Sequence, residues 1–280
     1  MFDDQMMIDR ILRRALEEDL GAGDLTTNAT IDPVLKGRAS LIARETLVLA
    51  GLPVFIKVFR ILSVEIKSED YFEDGQLVQG GEKICQITGP ANAILKGERT
   101  ALNFLQRMSG ISTLTKTYVD KVGSQKVRLV DTRKTATGLR LFDKYAVRMG
   151  GGFNHRIGLY DGILIKDNHI SAAGSISKAV DLAKLNAPHT IKVEVEVEDF
   201  EALEEAIQAG ADVVLLDNMS PQMLKEAVRL SNGRVPLEAS GGINLKNIEE
   251  IAKTGVDIIS VGALTHSAIA VDVSLEMIPL

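Results

Sequence analysis

Ile8, Ile11, Leu12, Ala15 and Leu16 recur at helical spacing across about 4–20, and Gly21 closes the run, which predicts an opening helix. The rhythm then changes. Residues 37–50 read as strand, first Arg38–Ala43 and then Leu47–Leu49, and the apolar run Leu52–Leu62 predicts a short helix. Val64–Lys67 and Lys83–Thr88 read as further strands, linked by turns at Gly75, Gly80 and Gly81. Helix and strand mix here without regular alternation, so residues 1–110 are expected to form an N-terminal α+β domain.

A long helical pattern covers Ala91–Val122, with a break expected near Gly110. Beyond it, strands are predicted at Val127–Asp131, Ile163–Lys166, Ile191–Val197, Val213–Asp217, Leu237–Ala239 and Ile258–Val261. Helical segments separate them: Phe142–Arg148, Ile176–Leu185, Phe200–Ala209, Pro221–Leu230 and Leu245–Lys253. Strand then helix, repeated with short loops, means parallel strands and crossover helices. A closed or nearly closed α/β barrel and a doubly wound sheet both fit that rhythm. Polar or glycine residues crowd the C-terminal ends of these strands: Asp131–Lys134, Lys166–His169, Glu196, Asp217-Asn218, Ser240–Gly242 and Gly262. That is the working rim of an α/β barrel. Residues 111–280 are therefore expected to form a partly open α/β barrel, with the last residues returning to the first domain.

Charge sharpens the picture. Between Lys126 and His169 lie nine Lys/Arg and four Asp, a local excess of +5 in a chain of net charge -6, so the remainder carries -11. A basic island in an acidic protein suits a small, highly anionic ligand. Nucleic acid would need a broad basic face, and an aromatic content of 4% adds no stacking platform. The single Cys85 excludes an internal disulfide and suits a reducing compartment. No basic, apolar leader opens the chain and no window reaches eighteen apolar residues, so a cytoplasmic protein without a membrane span is expected.

Within the island, Arg133 and Lys134 end a strand and offer a bidentate fork and a mobile point charge for carboxylate or phosphate. Gly150-Gly151-Gly152 precedes Asn154-His155-Arg156 and either lets backbone approach a ligand or builds a tight turn. Lys166, after the buried run Gly162–Ile165, reads as a Schiff-base nucleophile, an anion ligand, or an ion-pair partner of Asp167. Glu196 and Asp217 end consecutive strands and suit magnesium or ribose hydroxyls; Glu194 shares the face of Glu196, and spacing does not choose between them. The Ser240–Gly242 turn and Gly262 match the late phosphate site of such barrels. His189 and His266 read as surface or core residues, and no His/Cys cluster has zinc spacing.

Taken together, these strings resemble the quinolinate phosphoribosyltransferase family, the carboxylating nicotinate-nucleotide pyrophosphorylases. The matching runs are Glu18–Gly21 with Gly23-Asp24, Glu98–Asn103, Asp131–Thr135, Asn154–Arg156, Lys166–His169, Leu216–Asn218 and Glu238–Gly242, in the family's order across nearly the whole chain. The resemblance implies transfer of phosphoribose from phosphoribosyl pyrophosphate to quinolinate, with loss of pyrophosphate and carbon dioxide, in NAD biosynthesis. It implies a homodimer with a shared site, and Mg2+ accompanying the pyrophosphate.

By carry-over, Arg133, Lys134, His155 and Arg156 would hold the two carboxylates of quinolinate, with Thr132 beside them and Arg99 supplied by the neighbouring subunit. Lys166, Glu196 and Asp217 would contact phosphoribosyl pyrophosphate, the acids through ribose hydroxyls or metal. The family pattern selects Glu196 over Glu194. Ser240, Gly241 and Gly242 with Val261, Gly262, Ala263 and Leu264 would surround the 5-phosphate, and Lys134, Lys166, Glu196 and Asp217 form the implied catalytic set. One departure stands out: the family usually carries a proline in the loop after Thr135, where this chain has Ala136-Thr137-Gly138. Competing readings are a related pyrophosphorylase with another acceptor, a Schiff-base aldolase using Lys166, and a non-catalytic metabolite sensor.

Overall fold

The computed structural model describes residues 5–280. The chain divides into two compact units. One runs to Lys116 and adds Ala136–Gly151 and Ala268–Leu280; the other takes Thr117–Thr135 and Gly152–Ser267.

The first unit opens with helix α1 (Gln5–Leu20), which buries Ile8, Leu12 and Leu16 along one stripe; Asp4, where the sequence pattern begins, lies outside the described residues. A short α2 (Leu25–Thr30) is N-capped by Asp24, whose carboxylate takes the Thr27 N–H at 3.0 Å. Strands β1 (Lys36–Ala43) and β2 (Leu47–Val48), helix α3 (Leu52–Leu62), and strands β3 (Lys67–Asp70), β4 (Leu77–Val78) and β5 (Lys83–Pro90) follow. The expected strand at Val64–Lys67 is displaced toward the C-terminus: Val64 is 95% exposed, and β3 begins where pairing with β5 begins. Phe55 and Phe59 on α3 pack edge to face at 5.1 Å and are fully buried.

Helix α4 (Ala91–Val122) passes through Gly110 without the expected break. Gly110 serves close packing instead: a Cβ there would lie 2.1 Å from the carbonyl oxygen of Ile269. The residue pattern does not mark a strand after Ile269, yet one forms there. It is β12, the seven residues Val273–Pro279, which pairs antiparallel with β1 and completes a sheet ordered β12-β1-β5-β3. Gly150 likewise packs closely, its hypothetical Cβ 2.4 Å from the Ser112 carbonyl oxygen, while Gly151 has φ +88 and turns the chain.

The second unit is a single parallel sheet of six strands: β6 (Arg128–Val130), β7 (Ile163–Ile165), β8 (Val193–Val197), β9 (Val213–Asp217), β10 (Leu237–Ser240) and β11 (Ile258–Ser260). Their order is β6-β11-β10-β9-β8-β7. From β7 to β11 sequence neighbours are spatial neighbours, and the first strand, β6, pairs with the last, β11. That is a barrel opened between β6 and β7; a doubly wound sheet would reverse direction part-way. The intervening helix α5 (Arg140–Met149) is counted with the first unit. Helices α6 (Asp167–Ala173), α7 (Ile176–Asn186), α8 (Phe200–Gln208), α9 (Pro221–Ser231), α10 (Ile248–Ala252) and α11 (Ala263–His266) make the remaining connections. The sequence pattern missed α6, which has no buried residue and hence no apolar stripe.

Alternation along the strands sorts the two faces. Val193, Val195, Val197, Val214, Leu216, Leu237, Ala239 and Ile259 are buried, as are Leu203 and Ala206 of α8 and Leu224 and Ala227 of α9. The opposite face carries the polar positions.

Candidate active site

The pairing register places the chemistry. Leu164 pairs with Glu194, Glu196 with Leu215, Leu215 with Glu238, Asp217 with Ser240, and Ser260 with Val130. Partners at one level of a parallel sheet point the same way, and so do residues two apart. Leu164 and Lys166, Glu194 and Glu196, Leu215 and Asp217, Glu238 and Ser240, Ser260, and Thr132 therefore share one face. A cleft of about 570 Å³ opens there, lined by Thr132, Arg133, Lys134, His155, Arg156, Lys166, Glu196, Asp217 and Ser240–Gly242 among others. That size suits a small ligand.

The basic island is not a continuous patch. Of its nine cations only Arg133, Lys134, Arg156 and Lys166 line the cleft. Lys144 and Asp143 are buried in the first unit, where Asp143 takes a bidentate pair from Arg107 at 2.9 and 2.7 Å. Arg128 lies over the Phe153 ring at 5.6 Å. The four that line it come from three segments, Arg133-Lys134, Arg156 and Lys166. Burial depresses the basicity of the Arg156 guanidinium, and the nearby charge of Arg133 depresses it further. Two cations drawn together in this way form a receptor for an anion.

Buried Asp131 organises one wall: it accepts the Asn154 amide at 2.6 Å and the His155 N–H at 2.9 Å. Arg156 donates to the Gly162 carbonyl at 2.8 Å. On the opposite wall, Lys166 N-caps α6, its N–H meeting His169 Nδ1 at 3.0 Å, while its ammonium group is hydrogen-bonded to Glu196. The partner is thus Glu196, not Asp167, whose carboxylate takes the Asn168 N–H.

Glu196 and Asp217 sit at the rim, and the Asn218 amide holds Asp217 at 2.7 Å. Each keeps an oxygen available for ribose hydroxyls or a hydrated magnesium, which takes oxygen ligands. Glu194 lies one level deeper. It forms a cluster with His155 and Glu238 that sequence reasoning did not single out: His155 Nε2 is 3.1 Å from Glu194 and 3.6 Å from Glu238. The ligand atoms of the three lie within 4.8 Å of one another. Burial, then the Glu194 charge, push the Glu238 carboxyl up to about 7.

The Ser240–Gly242 turn owes its shape to two left-handed glycines, Gly241 (φ +90) and Gly242 (φ +61). A Cβ at Gly241 would strike Asn218 Oδ1 at 2.2 Å. Gly262 N-caps α11 beside Lys134, and Thr265 donates to the Lys134 carbonyl at 2.8 Å. The side chains of Val261 and Leu264 are buried, so they and Ala263 can meet a ligand through backbone alone. Arg99 is exposed on α4 of the first unit.

A one-gap parallel barrel whose rim gathers Arg133, Lys134 and Arg156 with a Lys166–Glu196 pair beside Asp217 fits a transferase of the α/β-barrel class acting on anionic small molecules. The family descriptions "Quinolinate phosphoribosyl transferase, N-terminal domain" and "C-terminal domain" match residues 24–109 and 111–276. The chain belongs to the quinolinate phosphoribosyltransferase family.

It is 42% identical over 272 residues to the probable nicotinate-nucleotide pyrophosphorylase [carboxylating] of Bacillus subtilis, covering 97% of this chain and 94% of that one. A mitochondrial quinolinate phosphoribosyltransferase [decarboxylating] of Nicotiana tabacum is 43% identical, covering 95% of this chain and 81% of that one. The crystal structure of NadC from Streptococcus pyogenes superposes with a TM-score of 0.95 at 44% identity, covering 98% of both chains.

Proposed function

We propose that this protein transfers phosphoribose from phosphoribosyl pyrophosphate to quinolinate, giving nicotinate mononucleotide, pyrophosphate and carbon dioxide in NAD biosynthesis. The observation that carries the reading is the cleft's division into a cationic wall, Arg133, Lys134 and Arg156, and a wall where Lys166 is paired with Glu196 beside Asp217. Quinolinate is a dianion and suits the first wall, with Thr132 and His155 at its edge. Phosphoribosyl pyrophosphate suits the second, with its 5-phosphate on Ser240–Gly242 and the backbone of Val261–Leu264.

The chemistry asks for positioning. As pyrophosphate departs, positive charge builds on the ribose ring, and the carboxylates of Glu196 and Asp217 stabilise it. The pyridine nitrogen forms the new bond to the ribose carbon. Loss of the adjacent carboxylate as carbon dioxide then leaves an electron pair beside the cationic ring nitrogen, where a proton replaces it. Orientation and exclusion of water suffice for that step, with Lys134 and Lys166 holding the anionic groups in place. Magnesium, when bound, would neutralise pyrophosphate charge, with Glu196 and Asp217 reaching it through water or substrate.

We place the enzyme in the cytoplasm as a homodimer, with Arg99 of one subunit completing the quinolinate site of the other. The described helices include none long and apolar enough to cross a membrane.

The test is direct: incubate the protein with quinolinate, phosphoribosyl pyrophosphate and magnesium, and follow nicotinate mononucleotide. One carbon dioxide per product is expected. No product, or equal activity with nicotinate, refutes the reading.

A further inference from the structure

Two buried glutamates, Glu238 in the lining of the cleft and Glu194 on the same face of the sheet, have no role in the chemistry above. Glu194 is 8% exposed and Glu238 2%, on β8 and β10 with β9 between them. Each keeps one carboxyl oxygen buried without a hydrogen-bond partner. Burying acidic groups in a low-dielectric interior opposes folding, so packing alone does not explain them. Their other oxygens converge on His155 Nε2 at 3.1 and 3.6 Å. On the far side of the ring, Nδ1 accepts the backbone N–H of Arg156 at 2.7 Å. An imidazole bonded at both nitrogens has one tautomer and one orientation.

We propose that Glu194 and Glu238 are positioning residues for the quinolinate half of the site, locking the His155 ring and, through it, the backbone of Arg156. The inference rests on the proposed assignment of His155 and Arg156 to the carboxylates of quinolinate.

The experiment compares Glu194→Met, Glu194→Gln, Glu238→Met and His155→Ala in the full-length protein. Glu194→Met and Glu238→Met should raise the KM for quinolinate about tenfold and leave that for phosphoribosyl pyrophosphate within twofold. Glu194→Gln, which keeps an oxygen acceptor, should recover most of the loss. In the His155→Ala background, Glu194→Met should add less than twofold. A change in both KM values together, or an undiminished effect without His155, overturns the proposal. So does an unchanged quinolinate KM in Glu194→Met while His155→Ala raises it. If His155→Ala itself leaves that KM unchanged, the assignment of His155 fails first, and the inference with it. Should the methionine variants fail to fold, imidazole 15N spectra of the wild type decide: one Nε2-protonated tautomer for His155 supports the lock, and averaging between tautomers overturns it.

Discussion

The ammonium group of Lys166, at the end of β7, is hydrogen-bonded to the carboxylate of Glu196, at the end of the neighbouring strand. Each charge keeps the other in place until substrate arrives. Lys166→Ala should therefore cost an anion ligand and also release Glu196, lowering kcat/KM about a hundredfold or more, in line with removal of an electrostatic stabiliser. Steady-state formation of nicotinate mononucleotide is the measurement. Retained activity in Lys166→Ala, or a borohydride-trapped adduct on the wild type, would contradict this role.

Arg99 and Lys134 provide a test of the shared site. Each alanine variant alone should be inactive. Unfolded and refolded together in equal amounts, they should regain up to about a quarter of wild-type activity, since random pairing gives half heterodimers with one intact site each. Mixtures that stay inactive would place both residues in the same site of the same subunit.

Glu238 makes stability depend on pH. Burial raises its folded-state value from the ordinary 4.5 to about 7, so the folded protein holds this proton more tightly than the unfolded chain. The contribution is complete below about 4.5 and is lost as pH rises through about 7. Each unit of separation is worth about 1.4 kcal/mol. Glu238→Gln should thus gain stability relative to wild type as pH rises from 5 to 8, read as a widening difference in Tm. A constant difference across that range would contradict the shift.

The loop Ala136–Leu139 has a defined turn. Leu139 donates to the Ala136 carbonyl at 3.0 Å, and Gly138 has φ +81. Those are the marks of a type II turn, which favours proline at its second position, here Thr137. Thr137→Pro is expected to stabilise the protein by about 0.5 kcal/mol through the unfolded chain. Denaturant unfolding checks it, and a loss of stability would refute the turn assignment.

Gly110→Ala tests the opposite principle. Alanine is the better helix former by about 1 kcal/mol. Its Cβ would nevertheless collide with the Ile269 carbonyl oxygen, 2.1 Å away. Net destabilisation of about 2 kcal/mol is expected, measured as a lower denaturation midpoint. A stabilised variant would mean that the two segments do not touch.

What the sequence determined by itself is what repeats locally. Helix and strand periods depend on near neighbours, so the alternation of the second unit, the helix Leu52–Leu62 and the strand Val213–Asp217 were legible from residue pattern. Polar residues at strand ends marked the rim for the same reason, and the motif strings named both walls of the cleft.

The tertiary structure alone decided what depends on distant chain. Gly110 looks like a helix breaker until Ile269 lies against it, and β12 has no meaning without β1. Nine cations close in sequence scatter in space, because side chains such as Lys144 are buried in another unit. Period two puts Glu194 and Glu196 on one face but says nothing of depth. Depth follows from strand register and from which loops cover the strand, and it left Glu196 at the rim and Glu194 buried against His155 and Glu238.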